Sequence, residues 1–210
     1  MELTKYTHSC VVLDDGGRRL LIDPGIWTEP AALAAVTAVL VTHDHFDHLD
    51  VDLLLAAGRA DSGFVVFAPA AVVAQLAGLA GAAVVVEAGQ HFTAAGFAVT
   101  AVGGAHAEIY DGAPGTSNLG YVIDGGTVYH PGDSLHVPDQ PVRTLLVPAA
   151  APWLKLAEAI DFVRAVAPAA AHPIHDATLS QVGQAGTDRW LASKGDTDFS
   201  RIPVGATITV

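Results

Sequence analysis

The stretch Val41-Thr42-His43-Asp44-His45-Phe46-Asp47-His48-Leu49-Asp50 constrains this chain more than any other. Three histidines and Asp47 fall within six positions, directly after a short apolar strand expected over 38–41. In an extended segment residues i and i+2 face the same side. His43 and His45 therefore point together at one metal ion. Asp47 and His48 fall where the chain turns into the next helix, expected over 50–57 with Asp50 as N-cap, and face a second ion. Neutral imidazole and carboxylate suit zinc, manganese or iron. Four ligands do not complete two metal shells, so later residues must contribute.

Three candidates follow. His106 comes after Val102-Gly103-Gly104-Ala105, Asp133 ends Tyr129-His130-Pro131-Gly132-Asp133, and His175 follows His172-Pro173-Ile174. Alone, each reads as a loop histidine or a turn aspartate. Together they place every candidate ligand at the end of an expected strand, as a site at one edge of a layered fold requires. Asp133 can bridge two ions. Strands at 10–13 and 19–22 flank the turn Asp14-Asp15-Gly16-Gly17. The segment 97–102 alternates, 119–124 and 127–130 make a second hairpin, and 144–147 and 169–174 are buried strands. Leu156, Ile160 and Val163 mark one side of a helix over 154–166. A weaker helix over 179–193 is broken by Gly183 and Gly186. Each half runs from strands to a helix, which predicts two packed sheets with helices outside, an α/β layered sandwich, as one domain over 1–210.

Composition removes several classes. Hydrophobic residues make up 51% of the 210 and charged residues 15%, which excludes global disorder. Ten Lys and Arg against 22 Asp and Glu leave a net charge of −12, with no basic face for nucleic acid or an anionic membrane. Cys10 is the single cysteine, so no intrachain disulfide and no thiolate zinc knuckle can form. A reducing cytoplasm fits, and the N-terminus shows no signal-peptide pattern. The uncharged segment 64–86 is long enough to span a bilayer. Pro69, Gln75, Gly78, Gly81 and its alanines favour a buried strand, helix and strand instead.

The order His43-x-His45-x-Asp47-His48, then His106, Asp133 and His175, resembles the metallo-β-lactamase superfamily. So do Thr7-His8-Ser9-Cys10, Leu21-Ile22-Asp23-Pro24-Gly25 and Gly120-Tyr121-Val122-Ile123. The short chain, Ile22-Asp23-Pro24 and Pro173-Ile174-His175 are most similar to the branch of stand-alone metal-dependent hydrolases that includes L-ascorbate-6-phosphate lactonase-like proteins. The resemblance implies an αββα four-layer sandwich with a dinuclear site. His43, His45 and His106 would hold one ion and Asp47, His48 and His175 the other, with Asp133 between them and zinc the first expectation. Asp23 would orient ligands from beneath. His8 reads equally as a site residue and as a turn residue.

The expected chemistry is hydrolysis of a small-molecule ester, lactone or phosphodiester by a hydroxide held between two ions. Asp47 would accept a hydrogen bond from the nucleophile and assist proton transfer. A mononuclear iron dioxygenase on the same fold and a metal-binding relative without turnover are the alternatives. Phosphate recognition would need a basic cluster, and only scattered Lys5, Arg143 and Lys155 are available. Trp153 and Lys155 follow the 144–147 strand as candidates for the mouth of the site, but Trp153 reads first as a core residue at a helix start and Lys155 as solvated. His130 reads as a satisfied strand residue, His172 as the substitute should His175 not ligate, and His91 and His136 as ordinary surface or loop residues. The balance of charge and apolar content is compatible with a homo-oligomer.

Overall fold

A computed structural model describes residues 1–79 and 81–210. The strands are β1 (Glu2–Lys5), β2 (Val11–Asp15), β3 (Arg18–Ile22), β4 (Ala38–Leu40), β5 (Val65–Ala68), β6 (Ala83–Val85), β7 (His91–Ala94), β8 (Phe97–Gly103), β9 (Leu119–Ile123), β10 (Val128–His130), β11 (Thr144–Pro148), β12 (Ala170–Ile174), β13 (Asp198–Phe199) and β14 (Thr207–Thr209). The α-helices are α1 (Val51–Ala60), α2 (Ala70–Gln75), α3 (Leu156–Val166) and α4 (Gln181–Lys194). One sheet has the order β14-β1-β2-β3-β4-β5-β6 and the other β13-β12-β11-β10-β9-β8-β7. Hairpins make the early pairs of each sheet antiparallel; crossovers make β3-β4-β5-β6 and β10-β11-β12-β13 parallel.

Side-chain alternation sorts each strand between two layers. Val11, Leu13, Leu20 and Ile22 face the inter-sheet core, opposite Phe97, Val99, Tyr121 and Ile123. Their neighbours Val12 and Leu21 face outward and pack with Leu54 of α1 and Val72 of α2. On the other sheet Val122, Leu145 and Val147 pack under Phe162, Val163 and Leu191 of α3 and α4. The result is the αββα sandwich. Asp50 caps α1 as expected, its carboxylate accepting from Leu53 N at 3.0 Å.

Two expectations need correction. Val84 and Val85 are substantially exposed, because β6 is an edge strand rather than a buried one. Ala80, in the same segment, lies outside the described residues. Gly183 and Gly186 do not break the last helix; α4 runs unbroken, started by Ser180 accepting from Gly183 N and anchored by buried Leu191. Propensity is a weak prior that such packing overrides. Among the described residues no helix is long and apolar enough to cross a membrane.

One buried cation ties three segments to the edge of the sandwich. Lys5, nearly inaccessible at the end of β1, donates to the carbonyls of Tyr6 at 2.7 Å and His8 at 2.6 Å, and lies 3.5 Å from Asp176 Oδ1. Burial lowers its pKa, with Asp176 opposing. Arg201 pairs with Asp176 and reaches Asp188 of α4. Lys5→Met leaves the Tyr6 carbonyl without a donor and Asp176 without its buried ammonium, and should cost about 3 kcal/mol, measured by chemical denaturation. A loss below about 1 kcal/mol would show that the ammonium ties nothing together.

Candidate metal centre

Four connections leave the sandwich along one edge. His43 to His48 lie between β4 and α1, His106 and Asp133 lie just beyond β8 and β10, and His175 directly follows β12. His8 comes from the turn between β1 and β2. Their donor atoms gather into two groups, each with all atoms within 4.8 Å of one another: His43, His45, His106 and Asp133; and His8, Asp47, His48 and His175. All seven residues expected from the sequence meet here, and His8 joins them.

Close backbone approach makes this convergence possible. A Cβ on Gly25 would stand 2.0 Å from the carbonyl oxygen of Asp47. Gly132 has φ +60°, and a Cβ there would meet Asn118 Oδ1 at 2.3 Å. The two sheets also hold the motif between them. Tyr121 of β9 donates its hydroxyl to the Val41 carbonyl at 2.8 Å, and Leu119 N donates to the Thr42 carbonyl at 2.9 Å.

Beneath the histidines lies Asp23, fully buried. It accepts from Thr42 N and Thr42 Oγ1, both at 2.7 Å, and from His48 Nδ1 at 2.6 Å. Because the Thr42 hydroxyl spends its hydrogen on Asp23, it accepts from His43 Nδ1 at 2.9 Å. His106 Nδ1 donates to the Ala107 carbonyl at 2.5 Å and His175 Nδ1 to the Ala150 carbonyl at 2.6 Å. In their neutral form four rings are thus held in one tautomer, which leaves the Nε2 lone pair to face the site once the cluster gives up its protons. Those four Nε2 atoms and Asp133 Oδ1 are buried and have no hydrogen-bond partner. They crowd together: His48 Nε2 is 3.0 Å from Asp133 Oδ1, while His175 and His106 Nε2 are 3.0 and 3.3 Å from Asp133 Oδ2. Buried polar atoms are rarely left so. Lone pairs converging on a carboxylate are the donor set of a divalent cation, and these residues fit one.

His8 differs. Its Nδ1 accepts from Ala177 N at 3.3 Å, so its hydrogen sits on Nε2 and is donated to Asp47 Oδ2 at 3.2 Å. Asn118 and Thr42 carry no signal in the sequence as site residues, yet both are buried supports. Asn118 Oδ1 accepts from Asp133 N at 2.9 Å and its Nδ2 donates to the Pro131 carbonyl. Trp153, expected in the core, is partly exposed beside the site and donates its indole N–H to Asp133 Oδ2 at 3.1 Å. Lys155 is exposed and pairs with Glu158. His130 is satisfied, bonded to the Ser9 carbonyl and accepting from Gly132 N. His172 bonds to the Ser200 carbonyl, and His91 pairs with Thr100 on the surface.

The cluster attracts positive charge. Burial opposes ionisation of Asp133, but His48, His106 and His175 hold its carboxyl well below the usual range. Asp47 is held low in the same way by His175 and His8. Burial likewise opposes charge on His175, yet Asp133 and Asp47 raise it to about 9. His43 goes the other way, lowered well below its ordinary value by burial and by His48. Metal binding to such a site releases protons.

A family model described as a beta-lactamase superfamily domain matches residues 2–175. Protein Rv0786c of Mycobacterium tuberculosis is 36% identical over 214 residues, covering all of both chains. A protein of Pyrobaculum arsenaticum named UPF0173 metal-dependent hydrolase is 41% identical over 68 residues, covering 28% of this chain and 30% of its own. The metallo-β-lactamase fold protein YhfI from Bacillus subtilis superposes with a TM-score of 0.77 at 17% identity, over 99% of this chain and 98% of its own. The family model covers most of the chain, and the order of the candidate ligands and the sheet topology agree with it: the chain belongs to the metallo-β-lactamase superfamily.

Proposed function

We propose that this protein is a metal-dependent hydrolase that cleaves an ester, lactone or phosphodiester bond of a small molecule at a dinuclear centre. One observation carries the reading: four buried imidazole Nε2 atoms and an oxygen of Asp133 converge without hydrogen-bond partners, each ring locked by a bond on its other nitrogen. His43, His45 and His106 would hold one ion, and Asp47, His48 and His175 the other. Asp133, within 4 Å of His43, His48, His106 and His175, would be shared. Two divalent ions there, zinc first and manganese or iron next, would lower the pKa of a bound water toward neutrality and polarise the electrophile.

The chain's own residues do the remaining work. Asp47 lines the mouth of the site and would accept a hydrogen bond from the nucleophile and assist proton transfer. His8 holds Asp47 Oδ2 from behind and acts as a positioning residue, its Nε2 hydrogen making it a donor rather than a ligand. Asp23 orients His48 directly and His43 through Thr42.

Three measurements test this. Mass spectrometry of chelator-free protein should find close to two zinc or manganese ions per chain; no metal, and none taken up on reconstitution, would sink the reading, and predominant iron would redirect it to oxygen chemistry. Asp23→Asn should weaken metal affinity about 10- to 100-fold in competition with a chromogenic chelator; unchanged affinity would remove Asp23 from the support. His8→Ala should keep the full metal count while kcat on 4-nitrophenyl acetate falls about 10- to 100-fold at similar KM, and His8→Gln should recover part of it. Loss of one ion in His8→Ala would make His8 a ligand instead.

A further inference from the structure

We infer that the group attached to the scissile bond is uncharged and apolar, so that the substrates are neutral esters or lactones rather than phosphorylated ones. This rests on the hydrolase reading above and narrows it. A cavity of about 340 Å³ opens directly over His45, Asp47, His106, Asp133 and His175. Apart from these and Thr178, its walls are apolar, chiefly Trp27, Phe46, Ile109, Pro152 and Trp153. Among the described residues no Lys or Arg lines it.

The apolar wall is built, and it is open. Phe46 is 59% exposed, Ile109 41% and Trp27 39%, three large side chains around one mouth. Such a patch marks a binding surface. Trp27 is held edge-on against His8 at 5.1 Å and against Phe46 at 5.7 Å between ring centroids. The polar end of Trp153 is spent on Asp133, and its ring stands edge-on to His106 at 6.1 Å and to His175 at 6.2 Å. Ile109 rides on a loop whose base is pinned by Thr116 donating to Asp44 and by His106 N bonding to the Thr116 carbonyl.

Among the described residues, the cations of the segments next to this wall face other groups. Lys5 is turned to the Tyr6 and His8 carbonyls and Asp176, Arg201 to Asp176 and Asp188, and Lys155 to Glu158. A charged group against Trp27, Phe46 and Ile109 would lose its water without gaining a partner. The net charge of −12 repels it further.

Three 4-nitrophenyl esters with one leaving group and one reacting carbonyl test this on the zinc-loaded protein: acetate, butyrate and the hemisuccinate, which ends in a carboxylate. Butyrate should exceed acetate in kcat/KM by on the order of tenfold, the worth of two buried methylenes. Hemisuccinate should fall below butyrate by about tenfold or more, and Ile109→Lys should shift that ratio toward hemisuccinate. Equal rates for acetate and butyrate, or hemisuccinate as fast as butyrate, would overturn the inference. Should no ester turn over, and no lactone or phosphodiester either, the hydrolase reading fails separately. Quenching of tryptophan emission by butyranilide and by succinanilic acid then decides: tighter binding of the neutral anilide supports the inference. Equal or tighter binding of the acid, or no binding of either, overturns it.

Discussion

Asp23 stands at the end of β3 with no exposed surface and a left-handed backbone at φ 52°. An ionised carboxylate in such a place is costly unless hydrogen bonds replace its lost water. Thr42 supplies two of them and His48 a third. Satisfying this one charge therefore fixes Thr42 and His48, at the two ends of the histidine motif. The relay through the Thr42 hydroxyl then sets the ring of His43. A structural need of the interior and the aim of the proposed ligands are met by the same bonds.

The sandwich turns that local order into a site. Its two sheets meet along one edge, where bonds from Tyr121 and Leu119 tie the chain after β4 to the opposite sheet. Asn118 and Gly132 let Asp133 approach from below, and the Lys5, Asp176 and Arg201 network brings the His8 turn and the His175 segment against them. The His175 amide also donates to the His8 carbonyl at 3.2 Å. Each contribution holds the next, so the concentrated histidines and carboxylates are kept together by the fold around them.

Much of this was legible in the residues. The hairpins, the apolar runs Val11 to Leu13 and Leu20 to Ile22, and the Asp50 cap follow from local rules that act within a few residues. β1 left a weaker mark because its inward side chains are Leu3 and Lys5, and a buried lysine breaks the apolar pattern. Exposure of Val84 and Val85 depends on β6 having no outer neighbour, which no property of that segment encodes. The persistence of α4 across two glycines comes from Ser180 at its start and Leu191 packed beneath it.

The sequence by itself determined which side chains could meet: seven candidate ligands, ordered along the chain and each near a strand end, on a fold of two sheets and outer helices. Only the tertiary structure decided how they meet. His8 shows a hydrogen to Asp47 because a backbone amide, Ala177 N, faces its other nitrogen. Trp153 lies over the site rather than in the core because its indole N–H finds Asp133. Periodicity assigns a side chain to one face of its own element. Which donor or acceptor arrives from a distant segment, and hence where a hydrogen sits, is set by the packing of layers that share no local code.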